Sequence, residues 1–285
     1  MIYNRDTKTY YQTDSNKFLK FLYNTFLGRI ILKITILKPI SLLGGLYMNS
    51  FFSKFKIKRF IRNNNIDMSD YPKIKYKSFN DFFIRRIDTD KRKIDKDNNS
   101  LIAPADSKLI VYPIDQNLIL NIKNSKYMLK DILKDDKLAL EYQNGYCLVF
   151  RLSVDDYHHY HFIDDGKVLS NKKIKGFFHT VNPIVYDKYK VFCENFREVT
   201  VLDTKNFGKI VQIEVGALMV GKIKNISNIK TFKKGAEKGY FCFGGSTIIL
   251  LIKENTCVID KDILTNSKQE IETKIKLGEK IGTKK

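Results

Sequence analysis

The 285-residue chain has no uninterrupted apolar run of 18 residues, because Arg29, Lys33 and Lys38 break its most hydrophobic stretch. That argues against a helix crossing a bilayer. Its first 20 residues are polar and lack a short apolar core followed by small residues, so no secretory leader is expected and the chain should stay in the cytoplasm. Only four cysteines occur, Cys147, Cys193, Cys242 and Cys257, with no C-x-x-C pair; they read as reduced thiols rather than a disulfide frame or zinc knuckle. Helix-turn-helix, zinc-finger and aromatic RNA-binding motifs are also missing, so no nucleic-acid partner is expected. No repeat of 33 to 45 residues is present.

What the chain does have is positive charge, 51 Lys and Arg against 31 Asp and Glu, a net +20. Residues 1–63 hold twelve Lys and Arg against only Asp6 and Asp14, so +10 of the excess lies in under a quarter of the chain. Over residues 17–62, apolar positions such as Phe18, Phe21, Leu22, Phe26 and Ile30 recur at three- and four-residue steps with cations between them. This is the pattern of a basic amphipathic helix, and Pro39 and Gly44-Gly45 should divide it into at least two. Such a face can pack on the protein's own core or lie in an anionic membrane interface, and a share of each is expected.

A polar stretch at 87–100 reads as a linker. Beyond it, β-branched and aromatic runs at 108–112, 146–152, 208–215, 218–223 and 246–252 read as strands, with helix expected at 79–86, 125–133 and 183–189. The expected fold is α+β. A helical, membrane-associating segment over 1–78 would pack on a mainly antiparallel, β-rich catalytic domain over 79–285.

Three of the four histidines fall in Tyr157-His158-His159-Tyr160-His161, flanked by Asp155-Asp156 and Asp164-Asp165. Imidazoles titrate near neutrality and suit proton transfer or metal binding. A metal would need further ligands such as His179, and without H-E-x-x-H or a cysteine partner no metal is expected. Near the C-terminus, Gly244-Gly245-Ser246-Thr247 leads into an apolar run. A glycine pair before a strand is an ordinary turn, yet Gly245 lacks a Cβ and its carbonyl lies within reach of the Ser246 hydroxyl, so the chain's own backbone is a possible target. Ala103-Pro104-Ala105-Asp106 adds a carboxylate able to orient an imidazole. Asp106, the histidine cluster and Ser246 together offer orienter, base and nucleophile.

These residues, with several others in the same order, resemble the phosphatidylserine decarboxylase proenzyme family, in particular its bacterial, clostridial-like members. The matching motifs are Phe79-Asn80-Asp81-Phe82-Phe83-Ile84-Arg85, Pro104-Ala105-Asp106, Asp156-Tyr157-His158-His159-Tyr160-His161, Val181-Asn182-Pro183, Asn195-Phe196-Arg197, Val215-Gly216-Ala217, Val220-Gly221, Lys234-Gly235-Ala236-Glu237-Lys238-Gly239 and Gly244-Gly245-Ser246-Thr247. Two positions depart from the usual pattern: Ser107 stands where the family commonly has Gly, and His159 where it commonly has Arg.

The resemblance implies a self-processing enzyme that cuts between Gly245 and Ser246. A β chain of 1–245 and an α chain of 246–285 would remain as a heterodimer, possibly further oligomerised, with Ser246 converted to a covalently bound pyruvoyl group. His161 would take the Ser246 proton with Asp106 orienting its ring, and an ester at the Gly245 carbonyl would be expelled by β-elimination. His158 would return a proton after loss of carbon dioxide, the pyruvoyl group serving as electron sink. The implied reaction converts phosphatidylserine to phosphatidylethanolamine in phospholipid biosynthesis, at the cytoplasmic face of the membrane. The alternatives are an inactive relative acting as a membrane-binding scaffold, and a pyruvoyl enzyme for a soluble amino acid.

Overall fold

The structure, a computed structural model, describes residues 1–12, 17–122, 125–217, 222–243 and 246–285. Its body is a ten-stranded sheet. The strands lie in the order Thr231–Phe232, Gly166–Ile174, Arg197–Thr204, Gly208–Gly216, Ser246–Ile252, Tyr146–Leu152, Ser107–Pro113, Glu272–Ile275, Ile2–Asn4, Thr9–Tyr11. Every pairing is antiparallel except that of Ile2–Asn4 with Glu272–Ile275.

The middle strand, Ser246–Ile252, is buried along its whole length because apolar layers cover both faces of the sheet. Period-two alternation divides its side chains. Ile249 and Leu251 join one core with Cys147, Val149, Val211 and Ile213, while Ile248, Leu250 and Ile252 join the other with Leu148, Phe150 and Ile210. Three further small sheets complete the body. The functionally important one packs His159–His161 and Ile223–Asn225 on either side of Glu237–Phe241.

The N-terminal helices are α1, Lys17–Asn24, α2, Phe26–Thr35, and α3, Lys38–Asn49. Thr25 starts α2 by accepting from the Gly28 N–H, and Pro39 sits in the first turn of α3, where its missing N–H costs nothing. The expected break at Gly44-Gly45 does not occur. Helix α3 runs through the pair, since a glycine costs only about 1 kcal/mol in a helix. Leu22, Tyr23, Leu32 and Ile36 bury into the first core, while Met48 and Ile57 meet Phe79, Phe82 and Phe83 of the short helix Phe79–Phe83. Much of the rest of the apolar face, including Phe26, Leu27 and Ile30, is exposed, so packing on the protein's own core takes only part of it.

Other expectations are corrected. The first eleven residues are not a prelude to helix but supply two strands of the main sheet. Residues 125–128 pair as a strand with Ile119–Ile122, leaving only Leu129–Leu133 as helix. The run after Pro183 closes as a single 3-10 turn, Pro183–Val185. Of the strand expected at 218–223, residues 218–221 lie outside the described residues, and the strand found is Ile223–Asn225.

Arg197 shows how buried polarity is managed. Fully buried, it donates to the carbonyls of Asp131, Ile132, Cys193 and Asn195 at 2.6–2.8 Å, tying the Leu129–Leu133 helix to the sheet. Arg197→Met would leave those carbonyls without donors. It is expected to lower the unfolding free energy by about 3 kcal/mol or more, measurable by denaturant titration.

Candidate active site

The candidate site residues lie at the first residue of the middle strand, on and just before the histidine strand, and in the turn at Pro104. Ser246 pairs with Leu152 on one side and Gly216 on the other. Gly216 is itself pinned: its N–H donates to the Phe196 carbonyl, and its carbonyl accepts from Asn195 Nδ2 at 2.8 Å. The Asn195-Phe196-Arg197 and Val215-Gly216-Ala217 motifs therefore support the strand end rather than supply chemistry. Ser246 is fully buried and its Oγ has no hydrogen-bond partner among the described residues. Gly245, the other half of the expected cleavage bond, lies outside the described residues, as does Val220-Gly221.

After Leu152 the chain turns through Asp156, whose carboxylate accepts from the Ser153 N–H and from Lys108 Nζ at 2.7 Å. Burial alone would lower Lys108, but Asp156 and Asp155 outweigh it and hold the ammonium charged. The Asp156 carbonyl then meets His158 Nδ1 at 2.9 Å. A carbonyl only accepts, so Nδ1 carries the hydrogen and Nε2 is left with its lone pair, buried and unpartnered. Burial, followed by the Arg85 cation, pushes His158 down to about 3. Its ring lies against Phe83, centroids 4.0 Å apart.

Strand alternation separates the histidines, as three-residue spacing in a strand requires. His161 lies on the side of His159 and Tyr157, with its Nδ1 also buried and unpartnered. Burial pushes it down to about 4. Its backbone N–H donates to the Pro104 carbonyl at 2.8 Å, so the Pro104-Ala105-Asp106 and histidine motifs do meet.

They do not meet as expected through Asp106. Its carboxylate is taken by Arg92, with Nε at 3.0 Å from Oδ1 and Nη2 at 2.6 Å from Oδ2, and by the Leu277 N–H. Among the described residues no hydrogen bond joins Asp106 to His161. A bidentate guanidinium outcompetes a neutral imidazole for a carboxylate. Arg92, which also holds Asp70 at 2.6 Å, makes the expected linker at 87–100 a structural strap.

The two departures noted above are both accommodated. Ser107 needs no left-handed backbone, and its hydroxyl donates to the Ala105 carbonyl. His159 spans Glu237 Oε1 at 2.8 Å and the Ile84 carbonyl at 3.0 Å through its two ring nitrogens. Burial would raise Glu237, but hydrogen bonds from His159 and Arg86 carry it down to about 2.

A buried and a half-buried neutral imidazole and a buried hydroxyl are groups suited to proton abstraction and acyl transfer. The family model for phosphatidylserine decarboxylase matches residues 79–283. The chain is 57% identical to phosphatidylserine decarboxylase proenzyme 2 of Clostridium acetobutylicum over 99% of its own length and 97% of the relative's. It is 44% identical to the phosphatidylserine decarboxylase proenzymes of Clostridium tetani and Clostridium perfringens, again over 99% of this chain and 97% and 99% of those relatives. The chain belongs to the phosphatidylserine decarboxylase family.

Because both imidazoles have folded pKa values below that of a free histidine, they stabilise the fold above about pH 6.5, and that contribution is lost as pH falls toward 4 and then 3. In a ring-proton NMR titration, the His158 and His161 signals should stay at their neutral positions through pH 5. A midpoint near 6.5 for either would contradict its dry environment.

Proposed function

We propose that the chain is a proenzyme that severs itself before Ser246 and then removes the carboxyl group of phosphatidylserine at a membrane surface, yielding phosphatidylethanolamine and carbon dioxide. The observation that carries this reading is the fully buried Ser246 hydroxyl at the head of the central strand, without a partner among the described residues, in a chain whose family-matching histidine motif also holds buried ring nitrogens without partners among them.

His161, neutral at pH 7, is able to accept the Ser246 proton as the hydroxyl attacks the Gly245 carbonyl. The rearrangement carries Asp106 as orienter, which requires its carboxylate to turn part of its bonding from Arg92 toward His161. The surroundings fit a pyruvoyl group, since it is built from Ser246's own atoms and that buried position has no competing partner among the described residues. When formed, that group supplies an electron sink for decarboxylation. His158 holds a free Nε2 whose opposite nitrogen is fixed on the Asp156 carbonyl, an arrangement suited to handing a proton to the substrate carbon. The severed chains would remain associated as the working unit.

The membrane part of the proposal rests on the N-terminal helices. Of 25 exposed large hydrophobic residues among those described, 16 lie between Phe18 and Phe55, the barest being Phe26, Phe52 and Phe55. No Asp or Glu interrupts residues 17–66, which carry ten Lys and Arg. No helix among the described residues is long and apolar enough to cross a membrane. An apolar face ringed by cations instead suits the interface of an anionic bilayer, where each nearby cation contributes about 1 kcal/mol. It also favours a lipid over a free amino acid as substrate.

Three outcomes are expected. Wild-type protein on a denaturing gel should show a large fragment and one of 40 residues, the latter with a blocked terminus by mass, whereas Ser246→Ala should stay intact and inactive. The self-cleavage rate should be flat from pH 8 to about 5 and fall only toward pH 4, because His161 is already neutral over that range; a midpoint near 6.5 would remove it as the base. Phe52→Ser with Phe55→Ser should weaken partitioning onto phosphatidylserine-containing vesicles by at least tenfold in sedimentation assays, and added salt should weaken it further.

A further inference from the structure

Arg85 is a cation with no carboxylate partner among the described residues. It is buried, 3% exposed, and lies between the faces of Tyr71 and Phe82, with its Cζ 4.4 and 4.7 Å from the ring centroids. Those rings cover the guanidinium faces but not its N–H edges. Of the edges, Nη1 donates weakly to the Phe82 carbonyl at 3.3 Å, while Nε and Nη2 are buried with no partner among the described residues. These two lie side by side on one edge of the guanidinium, the pair that grips an oxyanion through two parallel hydrogen bonds. Every other buried cation discussed above has its bonds filled: Lys108 by Asp155 and Asp156, Arg92 by Asp70 and Asp106, Arg197 by four carbonyls. A buried guanidinium with an empty fork is costly unless an anion arrives to fill it.

Its position ties it to the proposed chemistry. Arg85 follows Phe83 and Ile84, of which Phe83 stacks on His158 and Ile84 holds His159 through its carbonyl. Phe83 also packs on Phe243, two residues before Gly245, so Phe243 lies on the same aromatic wall.

We propose that the Nε–Nη2 edge of Arg85 binds the phosphodiester of the substrate headgroup. This deepens the phosphatidylserine reading and rests on it. The substrate offers two anions, and decarboxylation chooses between them. A guanidinium clamped on the departing carboxylate would stabilise the ground state and lose its grip as carbon dioxide forms, opposing the reaction. Held on the phosphodiester, which keeps its charge throughout, the same cation anchors the headgroup and leaves the carboxylate free.

The test uses self-processed protein, wild type, Arg85→Gln and Arg85→Lys, with two probes that carry no reactive amine. Glycerophosphocholine has a phosphodiester and no carboxylate, and 3-methoxypropionate has the carboxylate of a serine ether and no phosphate. Calorimetric titration is expected to show glycerophosphocholine bound roughly 10- to 100-fold more weakly by Arg85→Gln, the loss of one or two charge-assisted hydrogen bonds. Arg85→Lys, which keeps the charge but not the fork, should fall between, and 3-methoxypropionate should change less than about threefold. In kinetics on dispersed phosphatidylserine, KM should rise with kcat largely retained. Unchanged glycerophosphocholine binding, no binding by wild type, or a parallel loss of 3-methoxypropionate would overturn the proposal; if Arg85→Gln does not fold, Arg85→Lys decides. Protein that binds glycerophosphocholine through Arg85 yet releases no carbon dioxide would sink the enzymatic reading and leave this one standing.

Discussion

Polar atoms kept dry and unbonded are the constraint on which this structure turns. Ser246 Oγ, His158 Nε2 and His161 Nδ1 are each buried without a partner, at a cost on the order of 1–3 kcal/mol apiece. A sheet buried on only one face would let water reach such groups. Here the central strand has a neighbour on each side and an apolar layer above and below, and the histidine strand is held by main-chain bonds to Pro104 and to Glu237–Phe241. The same dryness keeps both imidazoles neutral and therefore able to act as bases.

The helical segment reaches this site through a short polar chain. Asn49, the last residue of α3, accepts from Asn80 Nδ2 at 3.0 Å, and Asn80 Oδ1 accepts from the Phe243 N–H. Phe79, Phe82 and Phe83 pack around that chain together with Phe60 and Phe243. The end of α3 and Phe243, two residues before the expected cut, thus meet in one aromatic cluster, and the Asp70–Arg92–Asp106 bridge makes a second link from the N-terminal segment to the body.

Legibility in the sequence followed chemical rarity. Three of four histidines in five residues, and Gly-Gly-Ser-Thr before an unbroken apolar run, stand out against a Lys- and Ile-rich background, and the strands at 108–112, 146–152 and 246–252 were readable for the same reason. Arg85 and Arg92 were not, because two cations among 51 carry no mark until burial and partners are known. Nor was the loss of Asp106 to Arg92, which depends on a strap whose composition is that of a linker. Residues 125–128 form a strand only because Ile119–Ile122 lies opposite, and 2–4 only because the C-terminal strand Glu272–Ile275 does, information carried by distant segments.

That C-terminal strand has a further consequence. It lies between Ser107–Pro113 and Ile2–Asn4, and Arg5 fastens the same corner to Asp260, Asp262 and Glu279. Residues after 245 are therefore woven between residues before it at two places in one sheet. Scission there would change the covalent count of the molecule while leaving its shape and cooperativity almost untouched, and the two pieces could part no faster than the whole sheet melts.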